Sequence, residues 1–223
     1  MLPIPQNITI VGLNVHGLLT ALLLRKTYKP AVTGITLVGL KEEDSPPKAY
    51  IAGKALNTLL EHFGYSEANW MRQTQATFKL SNRYVGFSEQ EFSVANASEV
   101  DILHQPLMLE LSKLKRQAYQ LDLSLDDFFF AAALAKRNLS PKAQDFPFET
   151  DYQYQVDANC LFTLLQKIAA EHSITTRPST LETLQLDQHG TLKHIECEDQ
   201  ILSGDYFFDC TQSAQLLIGN MPD

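Results

Sequence analysis

Two β-branched runs with a long apolar segment between them open the chain, and they restrict its fold more than any other feature. Residues 7–12 read NITIVG, residues 16–28 HGLLTALLLRKTY and residues 34–40 GITLVGL. Short runs dense in Ile, Val and Leu are the pattern of strands buried on both faces, and such strands belong to parallel sheets. The middle segment has helical length and is rich in Leu, a strong helix former. Strand, helix and strand in this order form a βαβ unit with a right-handed crossover. Ligands of such sheets bind beyond the carboxyl ends of the strands, so a nucleotide is expected at the turn spanning residues 12–17.

With 223 residues, 44% of them hydrophobic, the chain is long enough for one large domain with a proper core. Its net charge of -8 comes with scattered lysines and arginines, which argues against nucleic acid and an anionic membrane surface as partners. Cys160, Cys197 and Cys210 are widely spaced, with no C-x-x-C, so neither a disulfide framework nor a zinc site is expected. The first apolar run is broken by Gly12, Asn14, His16 and Gly17, and its basic residues follow it, unlike a signal peptide or a membrane span. The expectation is a folded protein of a reducing cytoplasm.

Further along, GKALNTLLEHFGYSEANWMRQ reads as one or two helices capped at Gly64. Residues 75–89, QATFKLSNRYVGFSE, read as one two-faced strand: Thr77, Lys79, Ser81 and Arg83 share one side, Phe78, Leu80 and Tyr84 the other. Residues 89–105 read as a loop. A helical insertion at about 106–138 would start at Pro106, with Ser124 and Asp127 resembling a second start signal. The Phe128–Phe130 run reads as core. A short strand then precedes a helix from Asp157 as N-cap to about His172, and residues 180–199 form a hairpin around Gln188, His189 and Gly190. GDYFFDC, residues 204–210, reads as a buried strand returning beside the first.

At the first turn, VGLNVHG keeps Gly12 and Gly17 of the G-x-G-x-x-G fingerprint but has Asn14 in the middle. That middle glycine lets a pyrophosphate approach the backbone, and a side chain there narrows the approach. Asparagine tolerates the left-handed conformation, which would preserve the turn. The acid expected at the end of the second strand is also missing, with Glu42 and Glu43 a few residues beyond. The six histidines show no metal-binding spacing, and no G-x-S-x-G occurs. A Rossmann-like unit without a tightly bound nucleotide stands beside the nucleotide-binding reading.

Three stretches in register, TQATFKLSNRYVGFS at 74–88, YQYQVDANCLFTLLQKIAAEHSI at 152–174 and GDYFFDCTQSAQLLI at 204–218, resemble the amino-terminal half of the flavin-dependent tryptophan halogenases. The resemblance implies an α/β fold: a Rossmann-like FAD-binding parallel sheet of the flavin monooxygenase/halogenase type, with an antiparallel strand layer and a helical insertion. It implies a single FAD/NAD(P)-binding-like domain over 1–223, with cofactor-binding Gly12, Asn14 and Gly17. The cofactor would be FAD, reduced by a separate flavin reductase, and the substrate a small electron-rich aromatic. In that family, flavin, oxygen and halide give hypohalous acid, which reaches a lysine beside the substrate. Lys79, in ATFKL, maps to that lysine.

The departures point the other way. Gln155 and Val156 replace His and Phe of the family's second motif, and Thr211 and Gln212 replace Ser and Gly of its third. DSPPKAYIAG at 44–53 replaces the glycine-rich flavin loop. The family's W-x-W-x-I-P motif and the acid that partners the lysine are expected beyond this stretch, as from a truncated or split gene. Two alternatives therefore stand beside a halogenase: a non-catalytic binding module or partner subunit that no longer binds flavin, and a chain completed by a complementary chain or by homo-oligomerisation.

Overall fold

The structure is a computed structural model, and it describes residues 4–39, 48–86, 91–117, 125–142, 147–198 and 200–221. The elements run β1 (Asn7–Val11), α1 (Val15–Thr27), β2 (Gly34–Val38), β3 (Ala49–Ala52), α2 (Lys54–His62), α3 (Glu67–Gln73), β4 (Thr77–Lys79), β5 (Ser81–Tyr84) and β6 (Phe92–Ala95). They continue with α4 (Glu99–Arg116), α5 (Phe130–Lys136), β7 (Gln153–Asp157), α6 (Ala158–Glu171), β8 (Ile174–Arg177), β9 (Leu181–Leu186), β10 (Leu192–Cys197), β11 (Gln200–Ser203) and β12 (Tyr206–Asp209). The chain divides into two compact units, one of Met1–Tyr50, Asn57–Gln75 and Val156–Asp223, the other of Ile51–Leu56 and Ala76–Gln155.

The first unit holds a four-stranded sheet in the order β12-β1-β2-β8, parallel throughout. Ile8, Ile10, Val11, Ile35, Leu37 and Val38 are all buried, as strands covered on both faces must be. The βαβ expectation is met, and β12 returns beside β1 as its sequence suggests, but not as a buried strand: Tyr206 is exposed and Phe207, Phe208 and Asp209 are half-buried. The parallel edge strand β8 has no counterpart in the sequence reading, because only Ile174 of ITTR is buried. α6 begins at the expected N-cap, where the Asp157 carboxylate accepts from Cys160 N–H at 2.9 Å. Its stripe of Leu161, Leu164, Leu165 and Ile168 is buried, each side chain contributing about 1.5–3 kcal/mol. The expected hairpin is β9–β10, turning at Gly190 with φ +78°, and it carries Ile195 and Cys197 into a core with Val11, Val38 and Leu217.

In the second unit, the single strand expected over 75–89 is two. β4 pairs antiparallel with β7, β5 with β6, and the chain changes partner at Leu80, whose carbonyl accepts from Asn96 N–H at 3.0 Å. Leu80 is buried with Ala95, Ala131 and Ala132, so this core draws the chain out of one ladder and into the next. Residues 92–95 are a strand and α4 opens at Glu99, both within the expected loop, which leaves Pro106 inside the helix. The start is set by Asp101, whose carboxylate accepts from Ser98 N–H and hydroxyl at 2.7 Å each and from Phe130 N–H at 2.7 Å. That reciprocal cap outweighs the preference of proline for a first turn. Ser124 lies outside the described residues.

Candidate functional site

The turn after β1 is built by close approach of backbone to backbone. Gly12 has φ +117°, and a Cβ there would lie 2.5 Å from the Cys210 carbonyl oxygen at the end of β12. A Cβ on Gly17 would lie 2.0 Å from the Gly12 carbonyl oxygen. Neither obstacle is a movable side chain, so both positions require glycine. Between them Asn14, only 5% exposed, is the N-cap of α1. Its backbone is extended, φ -135° and ψ -178°, not left-handed as its residue type allows. The side chain preserves the turn instead: Oδ1 accepts from Gly17 N–H at 2.9 Å and Nδ2 donates to the Cys210 carbonyl at 2.8 Å.

Beside this turn, Asp209 fixes the chain as it leaves β12. Its Oδ1 accepts from Thr211 N–H at 3.0 Å and the Thr211 hydroxyl at 2.5 Å, and Oδ2 from Leu217 N–H at 2.8 Å and Ile218 N–H at 3.1 Å. Burial by itself pushes this carboxyl up, but the four donors together outweigh it and hold Asp209 below the ordinary carboxylate range. Gln212, in the segment so held, has φ +54°, and its amide Nε2 lies 3.2 Å from His16 Nδ1. His16, exposed in the first turn of α1, also meets Tyr50 edge-on, with ring centroids 5.7 Å apart.

Lys79 belongs to the second unit. It ends β4 opposite Gln153 of β7, half-buried, and its Nζ donates to Gln153 Oε1 at 3.1 Å. Among the described residues its side chain pairs with this neutral amide, not with a carboxylate. The other face of the pair is aromatic: Phe78 lies opposite the buried Tyr154 and packs edge-on against Tyr152 with centroids 5.0 Å apart. The two-faced reading therefore holds over β4. Among the described residues no three His, Cys, Asp or Glu side chains gather as metal ligands, and all three cysteines are free thiols. No helix among them is long and apolar enough to cross a membrane.

Residues 7–221 match the family model described as tryptophan halogenase. The chain belongs to that family. It is 22% identical to the tryptophan 6-halogenase ThaL of Streptomyces albogriseolus and 23% identical to the tryptophan 7-halogenase RebH of Lentzea aerocolonigenes. Each alignment covers 96% of this chain but only 44% and 43% of the relative. Among solved structures, Xcc4156, a flavin-dependent halogenase from Xanthomonas campestris, superposes with a TM-score of 0.79 at 22% identity, over 97% of this chain and 44% of that one. BrvH, a flavin-dependent halogenase from Brevundimonas sp. BAL3, gives 0.77 at 20% identity, over 96% and 44%. The chain thus spans a little under half the length of these relatives, and its fold is the Rossmann-like fold of the family.

Against the family pattern, the frame of a dinucleotide site is present. Gly12 and Gly17 give the tight turn and the close packing of helix on strand, and Asn14 stands at the middle position with one helix N-terminal donor, Gly17 N–H, already engaged. These residues fit FAD in frame, with a narrower approach for its pyrophosphate. Glu42, Glu43 and residues 44–47 lie outside the described residues. Reasoning from sequence missed the contributions of Asp209, Gln212 and His16. An Asp two residues before a Thr is a turn signal that could have indicated the first; nothing local pairs His16 with Gln212, 196 residues apart.

Proposed function

We propose that this chain is the amino-terminal, flavin-binding part of a flavin-dependent halogenase, that 1–223 forms one FAD/NAD(P)-binding-like domain, and that it works in the cytoplasm. The observation that carries the reading is the family match over residues 7–221, a span that includes the Gly12–Gly17 turn, the Lys79 strand and the β12 return. Gly12, Asn14 and Gly17 would hold FAD, which a separate flavin reductase supplies in reduced form. When bound, the flavin would supply the reducing power that turns oxygen and halide into hypohalous acid. Lys79 would take up the halogen: the unprotonated amine forms an N–halogen bond, the halogen–oxygen bond breaks, and the hydroxide leaves as water with an amine proton. The halogen then passes to a ring carbon of an electron-rich aromatic, and the ring proton is lost. Gln153 holds Nζ at a fixed point of the half-buried face, which favours delivery to one position.

The test is halogenation of tryptophan and simpler indoles by wild-type and Lys79→Ala proteins with reduced flavin, oxygen and halide. Product from the wild type alone, with equal FAD binding by both, is expected. Equal yields from both, or none from either, would remove Lys79 from this role.

A second reading, a binding module that has given up flavin, is favoured by one observation. Asn14 satisfies Gly17 N–H and the Cys210 carbonyl at once, as a helix cap with no ligand would. Absence of FAD binding would select it.

A further inference from the structure

We propose that His16 and Gln212 bind the pyrophosphate of the dinucleotide, replacing the backbone donor that Asn14 has taken; the inference rests on the flavin reading above. His16 is the second residue of α1 and Gln212 lies two residues past Cys210, whose carbonyl oxygen closes the Gly12 turn. The two exposed side chains meet at 3.2 Å beside the turn that follows the carboxyl end of β1, the end of such sheets at which ligands bind. With the Gln212 amide as donor, His16 Nδ1 accepts and the ring proton sits on Nε2. The site therefore carries an imidazole and a primary amide, groups whose N–H bonds suit phosphate oxygens.

The backbone supports a role for the Gln212 side chain beyond filling space. At φ +54° the residue stands in the left-handed region that glycine occupies freely. It does so at the position where the family's motif has glycine. A glycine would carry less strain at this φ, and the glutamine side chain places its amide against His16.

The test measures FAD, ADP and riboflavin binding by wild-type, His16→Ala and Gln212→Gly proteins, with thermal unfolding alongside. ADP shares the pyrophosphate and riboflavin lacks phosphate, so the pair separates phosphate recognition from ring recognition. Each substitution is expected to weaken FAD and ADP by roughly 3- to 10-fold, without the same loss for riboflavin. Gln212→Gly is also expected to raise Tm, so stability and affinity move in opposite directions, which a merely structural role would not produce. Wild-type affinities for FAD and ADP in both variants would overturn the proposal and leave the flavin reading standing. Failure of the wild type itself to bind FAD and ADP would remove both.

Discussion

Asn14 is the residue on which the site turns. Replacing an N-cap asparagine by glycine costs a helix only a few tenths of a kcal/mol, and losing the bond to Cys210 about 1 kcal/mol more. Asn14→Gly is therefore expected to lower stability slightly while tightening FAD and ADP roughly 3- to 10-fold, measured by parallel melts and titrations. Unchanged affinity would mean that its amide does not obstruct a phosphate. Asp209 makes a prediction in pH. Its carboxyl titrates lower in the folded than in the unfolded chain, so its stabilisation is complete above the ordinary carboxylate pKa and is lost as pH falls through the folded value. Asp209→Asn should cost about 1–3 kcal/mol near neutrality, and urea melts of the two proteins should converge in acid. A gap that persists undiminished below the carboxylate range would rule out the charge as its source.

At the scale of elements, packing of α1 onto β1 depends on Gly17, because a methyl there meets the Gly12 carbonyl. Gly17→Ala is expected to cost about 3 kcal/mol or more, read from denaturant midpoints; a change below about 1 kcal/mol would mean the helix can shift outward freely. The other end of α1 is tied by Arg25, a buried residue whose guanidinium donates to the carbonyls of Tyr28 and Thr33 at 3.0 Å each and Ser173 at 3.1 Å. One side chain thus joins the helix end to the entries of β2 and β8. Arg25→Met keeps much of the stem but leaves these carbonyls without that donor, and a loss of about 2–4 kcal/mol is expected; a loss under about 0.5 kcal/mol would show the link to be dispensable.

The same elements show what the sequence could and could not tell. β1, α1 and β2 were legible because three dense apolar runs in that order leave few alternatives, and α6 because Asp157 precedes a clear stripe. The break at Leu80 was hidden, since a buried residue at the right parity continues an alternating pattern even as the strand changes partner. Pro106 suggested a helix start, but the Ser98–Asp101 cap, set by a contact reaching Phe130, placed it earlier. In the site, the glycines were legible and the conformation of Asn14 was not, because the carbonyl it bonds comes from Cys210, 196 residues away.

For the whole molecule, the parallel sheet, the glycine turn and the family match support the proposed account: a Rossmann-like halogenase-family fold spanning a little under half the length of its relatives, with an asparagine set into the turn after β1. Lys79 lies in the second unit, and the role proposed for it requires that the chain take the cofactor. The most direct measurement is a calorimetric titration of the purified chain with FAD, with flavin fluorescence followed in parallel. Saturable binding with one FAD per chain at micromolar Kd or tighter, about -8 kcal/mol, and stronger still in Asn14→Gly, is the predicted result. No binding by either protein would contradict the account and leave a fold that has outlived its cofactor.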